Sequence, residues 1–219
     1  VRMPAHPLAL ALIREAGIPI AAPSANRSGY PSPTIASHVL DDLEGKIDAV
    51  LDGGPTGIGL ESTVLDVTND VPVILRPGGI TEEDLKRVIG RVETDRGIIE
   101  TEIAPKAPGM KYTHYSPKAE VILVDGENPG VMARRILALL GRIALDKRKA
   151  ALLLSDETAG CLGKSLELWS EENVLYIKNM GSRQDLRAIA RLLYDELRRC
   201  DKVGVDVIVT ETYREEGIG

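Results

Sequence analysis

Four clusters of proline, glycine and small hydroxyl residues, each following a short apolar run, constrain this chain more than any other feature. They are Pro23-Ser24-Ala25-Asn26-Arg27-Ser28-Gly29-Tyr30-Pro31-Ser32-Pro33-Thr34, then Asp52-Gly53-Gly54, then Glu61-Ser62-Thr63-Val64, and finally Arg76-Pro77-Gly78-Gly79. Loops of this composition at strand ends present hydroxyls and bare backbone N–H groups, which suits the grip of an anion. The remainder of the chain is expected to support or cover that site.

The core between these loops must be aliphatic. Aromatic residues are 3% of the chain and Phe is absent, so Leu, Ile, Val and Ala have to fill the interior. That favours α/β layering over an aromatic-rich sandwich. The pattern predicts a helix over 6–16, started by Pro7, stopped by Gly17 and carrying Leu8, Leu12 and Ile13 on one face. A buried strand is predicted over 18–22, a helix over 34–44 capped by Thr34, and a second strand over 47–51. Residues 62–67 and 72–75 alternate and read as a hairpin around Thr68-Asn69-Asp70. Thr81 and Asp84 resemble a capping box for a helix ending near Ile89. Because these elements do not alternate strictly, a mixed sheet is expected.

Residues 93–118 differ in character. Pro105, Pro108, Pro117 and Gly109 interrupt regular structure, and 105–118 contain three lysines and no acid. Met110, Tyr112 and Tyr115 are bulkier than a flexible spacer needs. Beyond them, strands are predicted over 120–124, 150–154, 174–177 and 205–209, with helices over 129–146 and 182–200. Ser182 is the expected cap of the second helix, whose Leu186, Ile189, Leu193 and Leu197 share a face. This half reads as a small parallel α/β domain.

A net charge of −6 argues against a surface that coats nucleic acid throughout, while leaving room for a local basic cavity. Cys161 and Cys200 lack metal-site spacing and read as unpaired thiols of a reducing compartment; with Trp169 they are expected to pack. No apolar run approaches a membrane span and no secretory leader is apparent, so a cytoplasmic location is expected. The chain starts at Val1 inside what reads as a loop and stops at Gly219 without a helix over its last strand; a piece of a longer protein is expected.

No nucleophile–base pair is evident. His6, His38 and His114 are far apart and read as structural. The segment 53–59 lacks the Lys-Ser/Thr of a P-loop. Asp52 either meets Mg²⁺ or fixes its turn, the turn being favoured. Arg2 and Arg76, beside Pro/Gly turns, suit bidentate binding of carboxylate or phosphate. Together with Ser24, Ser32 and Ser62 they outline an anion pocket that works by orientation and charge stabilisation.

These residues carry a resemblance. Val1-Arg2-Met3-Pro4-x-His6-Pro7, Pro23-Ser24-Ala25-Asn26-x-Ser28-Gly29, Ser32-Pro33-Thr34, Glu61-Ser62-Thr63-Val64 and Arg76-Pro77-Gly78 resemble the YrdC-like threonylcarbamoyl-adenylate synthases. Lys111-Tyr112-Thr113-His114-Tyr115-Ser116-Pro117 resembles the linker of that family's long form. Gly181-Ser182 and Leu193-Tyr194-x-x-Leu197-Arg198-x-x-Asp201 resemble its C-terminal domain. The resemblance implies the C-terminal portion of a YrdC-like twisted mixed sheet with helices at 1–103. A linker and lid at 104–118 and a small Rossmann-like α/β domain at 119–219 would follow.

It also implies a reaction: L-threonine, bicarbonate and ATP give threonylcarbamoyl-AMP and pyrophosphate, the first step toward threonylcarbamoyladenosine at position 37 of tRNA. By the same carry-over, Arg2, Ala22 and Ser62 would bind threonine. Ser24, Asn26, Ser32, Arg76 and, from the linker, Tyr112 would bind ATP, accompanied by Mg²⁺, and no residue would be a metal ligand. A threonylcarbamoyl transferase complex acting on tRNA would be the downstream partner, with RNA contact possible. The family's N-terminal portion, with a threonine-binding Thr and a Lys/Arg cluster for the phosphates, has no counterpart in these residues, so the isolated piece is expected to be inactive. Two other readings stand beside this one: a tRNA or double-stranded RNA-binding module without catalysis, and another carbamoyl-adenylate enzyme as in hydrogenase-maturation proteins.

Overall fold

The computed structural model describes residues 1–99, 116–169 and 173–218. Two sheets organise them. The first is small and mixed: β1 (Val64–Asp66) pairs antiparallel with β2 (Val73–Arg76), which pairs parallel with β3 (Glu93–Thr94). The second is wholly parallel, β4 (Glu120–Val124), β5 (Ala150–Leu154), β6 (Val174–Asn179) and β7 (Val207–Glu211) lying in the order β4-β7-β5-β6.

Around the small sheet, helix α1 (Pro7–Ala16) begins with Pro and ends at Gly17 as expected. Helix α3 (Glu82–Ile89) carries the anticipated capping box, with Thr81 and Asp84 each bonded to the other's backbone. Helix α2 (Ala36–Leu43) starts two residues late, and its cap position is Ile35 with no side-chain bond. Thr34 is instead occupied with His38, whose Nδ1 accepts the Thr34 N–H at 3.3 Å. A short helix α4 (Arg96–Ile99) follows β3.

The strands predicted over 18–22 and 47–51 are absent. A strand exists only where a neighbour completes its hydrogen-bond ladder, and no described residue pairs with either run. Ile18 and Leu51 accordingly stay 63% and 59% exposed. Nor does α1 bury any residue, so its apolar face is uncovered among the described residues.

The parallel sheet is better filled. Every residue of β5 and β7 is buried, and alternation sends Ala150, Leu152 and Leu154 to one face and Ala151 and Leu153 to the other. On the first face lies α5 (Pro129–Leu145), capped by Asn128, whose Ala133, Ile136, Leu140 and Ile143 repeat at helical spacing. Helix α6 (Asp156–Leu162), capped by Ser155, joins it and runs into a 3₁₀ turn (Gly163–Leu168); this pair was not anticipated. Trp169 packs against that cluster as expected, but Cys161 is exposed. On the other face α7 (Leu186–Val203) buries Ile189, Leu197 and Cys200. Burial pushes the Cys200 thiol up to about 12, which makes it inert. The cap of α7 is Asp185 rather than Ser182: the Ser182 hydroxyl donates to Glu157 at 2.7 Å and accepts the Gln184 N–H at 3.2 Å, within a turn that comes before the helix. No described helix is long and apolar enough to cross a membrane.

Helix α7 also has a second, polar face, and that face docks on the first sheet's elements. Arg187 meets Asp84 at 2.9 Å, Arg191 Nε donates to the Gly57 carbonyl at 2.9 Å, and Lys202 meets Asp41 at 2.6 Å. In the middle, His38 Nε2 lies 3.0 Å from Asp195, and Arg198 Nη2 reaches Asp42 at 2.6 Å and the Pro31 carbonyl at 2.6 Å. The Arg198 and Asp42 side chains are 7% and 2% exposed. The Gly53–Gly59 segment, unremarkable as a phosphate loop, serves this docking: a Cβ on Gly59 would lie 2.5 Å from the Arg191 Cα.

Removing one partner of a buried ion pair leaves a desolvated charge, so Arg198→Ala is expected to lower stability by about 3–5 kcal/mol. Chemical denaturation of the full-length protein checks this; a loss below about 1 kcal/mol would class the pair with surface bridges. Acid should act at the same contact. Burial and the Arg198 charge lower the His38 pKa, outweighing Asp195. At Asp42 burial acts upward, but the hydrogen bond and charge of Arg198, with Arg27, bring the pKa below the usual carboxylate value. Both groups therefore stabilise the fold above their unfolded pKa values, roughly 6.5 and 3.9, and lose that contribution as pH falls through the lower folded ones. A thermal midpoint that is flat from neutrality to pH about 4 would contradict the His38 part of this account.

Candidate functional site

The hairpin β1–β2 positions the first part of the site. Arg76, at the end of β2, turns its guanidinium back across the hairpin: Nε and Nη2 donate to the Ser62 carbonyl at 3.1 and 2.9 Å. Nη2 also lies 3.3 Å from the Ser62 hydroxyl and 3.8 Å from Glu61. One fork thus holds two consecutive residues of the 61–64 segment. Opposite, the Ser32 hydroxyl donates to the Glu61 carboxylate.

The turn after Arg76 supports this from below. Gly79 N–H donates to the Glu61 carbonyl at 3.0 Å, and Thr63 Oγ1 both donates to and accepts from Ile80. The two segments approach so closely that a Cβ on Gly78 would meet the Glu61 carbonyl and the Thr63 nitrogen at 2.4 Å. The 61–64 and 76–79 clusters are therefore two strands of one joint.

Loop 23–34 forms the other wall. Asn26 closes it from inside, its Nδ2 donating to the carbonyls of Arg27 at 2.9 Å and Tyr30 at 3.1 Å. Arg27 stacks over the Tyr30 ring at 4.4 Å. The segment 116–118 attaches here and to α7: Ser116 N–H donates to the Gly29 carbonyl at 3.2 Å and Lys118 N–H to Asp201 at 2.8 Å.

Between these walls is a cleft of about 300 Å³. Four of the predicted residues, Arg2, Ser24, Ser32 and Ser62, line it together. Arg76 lies behind Ser62 and Glu61 rather than on the lining, and Asn26 acts through the loop. Ala22 is exposed and is not part of the lining. Tyr112 lies outside the described residues. The lining also contains Thr56, Glu61 and, from α7, Tyr194, which sequence reasoning did not name as site residues. Glu61 had a signal, since it belongs to a cluster already singled out. Tyr194 stood in the Leu193–Asp201 motif, but nothing in that motif tied it to the cleft, because its proximity depends on how α7 docks.

The predicted structural roles of two residues hold. His6 Nε2 lies 3.2 Å from the Gly53 carbonyl, and Asp52 accepts the Gly54 N–H at 2.8 Å, fixing its turn. No group of three or more His, Cys, Asp or Glu suited to a metal ion occurs among the described residues.

Comparison with known proteins gives a consistent result. The family described as "Threonylcarbamoyl-AMP synthase, C-terminal domain" matches residues 80–219, and the one described as "Telomere recombination" matches residues 1–78. The threonylcarbamoyl-AMP synthase of Bacillus subtilis is 47% identical over 219 residues, covering 100% of this chain and 59% of the relative. That of Pyrococcus abyssi is 43% identical, covering 100% of this chain and 60% of the relative. The crystal structure of P. abyssi Sua5 complexed with L-threonine superposes with a TM-score of 0.82 at 42% identity, over 99% of this chain and 59% of that one. The chain thus spans about three fifths of the length of the relatives it matches.

The 61–64/76–79 joint yields a direct expectation. Gly78→Ala forces a backbone shift of the kind that overpacking causes, costing about 1–3 kcal/mol. Denaturant unfolding measures it, and an unchanged midpoint would show that the joint is looser than described.

Proposed function

This chain belongs to the threonylcarbamoyl-AMP synthase family, and from that premise we propose that its cleft is where L-threonine, bicarbonate and ATP are brought together to give threonylcarbamoyl-AMP and pyrophosphate. One observation supports this reading most: Arg2, Ser24, Ser32 and Ser62, drawn from separate stretches of chain, line a single cleft with Arg76 fixed behind it.

The chemistry sets what the cleft must do. The threonine amine adds to bicarbonate with loss of water, giving a carbamate. A carbamate oxygen then attacks the α-phosphorus of ATP, and pyrophosphate leaves with the bonding pair. Two anions must therefore be held in contact, which demands cations and hydrogen-bond donors rather than a nucleophilic side chain. In this proposal Arg2 receives the threonine carboxylate, with Ser62 and the backbone at Ala22 completing that end. Ser24 and Ser32 face the nucleotide, Asn26 holds their loop, and Arg76 supplies positive charge while orienting Ser62. Mg²⁺ is proposed as the companion of the triphosphate: phosphates and water provide most Mg²⁺ ligands at such sites, so a cage of carboxylates is not required.

The proposal assigns 1–103 to the catalytic unit, 104–118 to a lid carrying Tyr112 and 119–219 to the second domain. The bonds of Ser116 to Gly29 and of Lys118 to Asp201 support a lid, since they tie its end to the loop of Ser24 and to α7. A transferase complex acting on tRNA is the proposed consumer of the product, RNA contact and cytoplasmic location being part of the same reading.

The test is calorimetric titration of the full-length protein. Arg2→Ala is expected to weaken threonine binding by about 2 kcal/mol or more, the usual worth of a charged hydrogen-bonding partner. Equal affinity in parent and variant would remove Arg2 from the site.

A further inference from the structure

Helix α7 belongs to the parallel sheet, yet Tyr194 on it lines the cleft of the first unit. Its position is held from both sides. One turn before, Arg191 donates to Gly57 at 2.9 Å and its backbone lies against Gly59. One turn after, Arg198 is fastened to Pro31 by two bonds, at 3.0 and 2.6 Å, and to Asp42. Between them, Asp195 meets His38. Pro31 and Gly57 each lie a residue away from lining residues, Ser32 and Thr56, so the fastening points are on the cleft's own walls.

Among the described residues the lining is otherwise composed of Arg2, hydroxyl residues, Glu61, Gly59 and the apolar groups Ala25, Pro33 and Leu60, with Tyr194 the one aromatic side chain described there. Threonine presents a carboxylate, an amine and a hydroxyl, for which an arginine and serines are matched. The adenine of a nucleotide is flat, uncharged and π-faced, and an aromatic ring is what such a base stacks on. We propose that Tyr194 is a nucleotide-specificity residue whose ring receives the adenine moiety, so that the second domain completes the substrate cleft. This rests on the reading of the cleft as an ATP and threonine site.

The test uses full-length protein and three variants, Tyr194→Phe, Tyr194→Leu and Tyr194→Ala, titrated separately with ATP and with L-threonine and followed by thermal unfolding. Tyr194→Ala and Tyr194→Leu should weaken ATP binding about tenfold or more, as loss of a base-stacking ring does, while Tyr194→Phe stays within about threefold of the parent. Threonine affinity should be unchanged in all three. Leu fills most of the ring's space without its π face, so ATP binding by Tyr194→Leu equal to that by Tyr194→Phe would overturn the proposal. An equal loss of both ligands in step with the thermal midpoint would also overturn it, leaving Tyr194 a packing residue. If the parent binds neither ATP nor threonine, the underlying reading fails, and the inference falls with it.

Discussion

The Arg198 guanidinium, taken out of water between Asp42 and the Pro31 carbonyl, is the interaction on which the arrangement of this molecule depends. A buried ion pair contributes little net stability, because desolvation offsets most of its Coulomb attraction. Its value here is geometric. A planar fork with two fixed acceptors tolerates one register, and an α7 displaced by a single turn would part Arg198 from both acceptors and leave Asp42 with Arg27 alone. His38 and Asp42, one turn apart on α2, are buried polar residues for this reason: they are the receptor for Asp195 and Arg198.

That docking reaches the cleft through backbone rather than through long side chains. Pro31 precedes Ser32, Gly57 follows Thr56 and Gly59 is itself on the lining, so the contacts that fasten α7 also set the cleft's walls. Gly59 permits the helix backbone to touch the loop, and Gly78 permits the 61–64 segment to cross the turn that follows Arg76. The cleft is thus assembled at two glycine crossings, with Glu61 linking Ser32 on one wall to Arg76 on the other.

Much of the parallel-sheet half was readable because its signals are local. The strands β5 and β7 are runs buried on both faces, β4 is an apolar run whose Val121 and Leu123 stay exposed, and the apolar stripe of α7 repeats at helical spacing. The hairpin and the Thr81 capping box were equally legible, being decided within a few residues. The segments 18–22 and 47–51 misled for the opposite reason: apolar composition makes a strand possible, but only a neighbouring ladder makes one, and that is not a local property. The cap of α7 lies at Asp185 rather than Ser182, which sits in a preceding turn anchored to Glu157, a residue distant in sequence.

By itself, then, the sequence determined the aliphatic α/β character, the loops that bear hydroxyls and arginines, and the family to which they belong. Each of these follows from residue type and short-range spacing. Only the tertiary structure decided that Arg76 lies behind the cleft, that Glu61 bridges its walls and that Tyr194 of α7 lines it. Those are consequences of where the polar face of α7 settles, and they hang on pairings such as Arg198 with Asp42, whose partners are 156 positions apart. No window along the chain contains both halves of such a contact, so packing alone could bring them together.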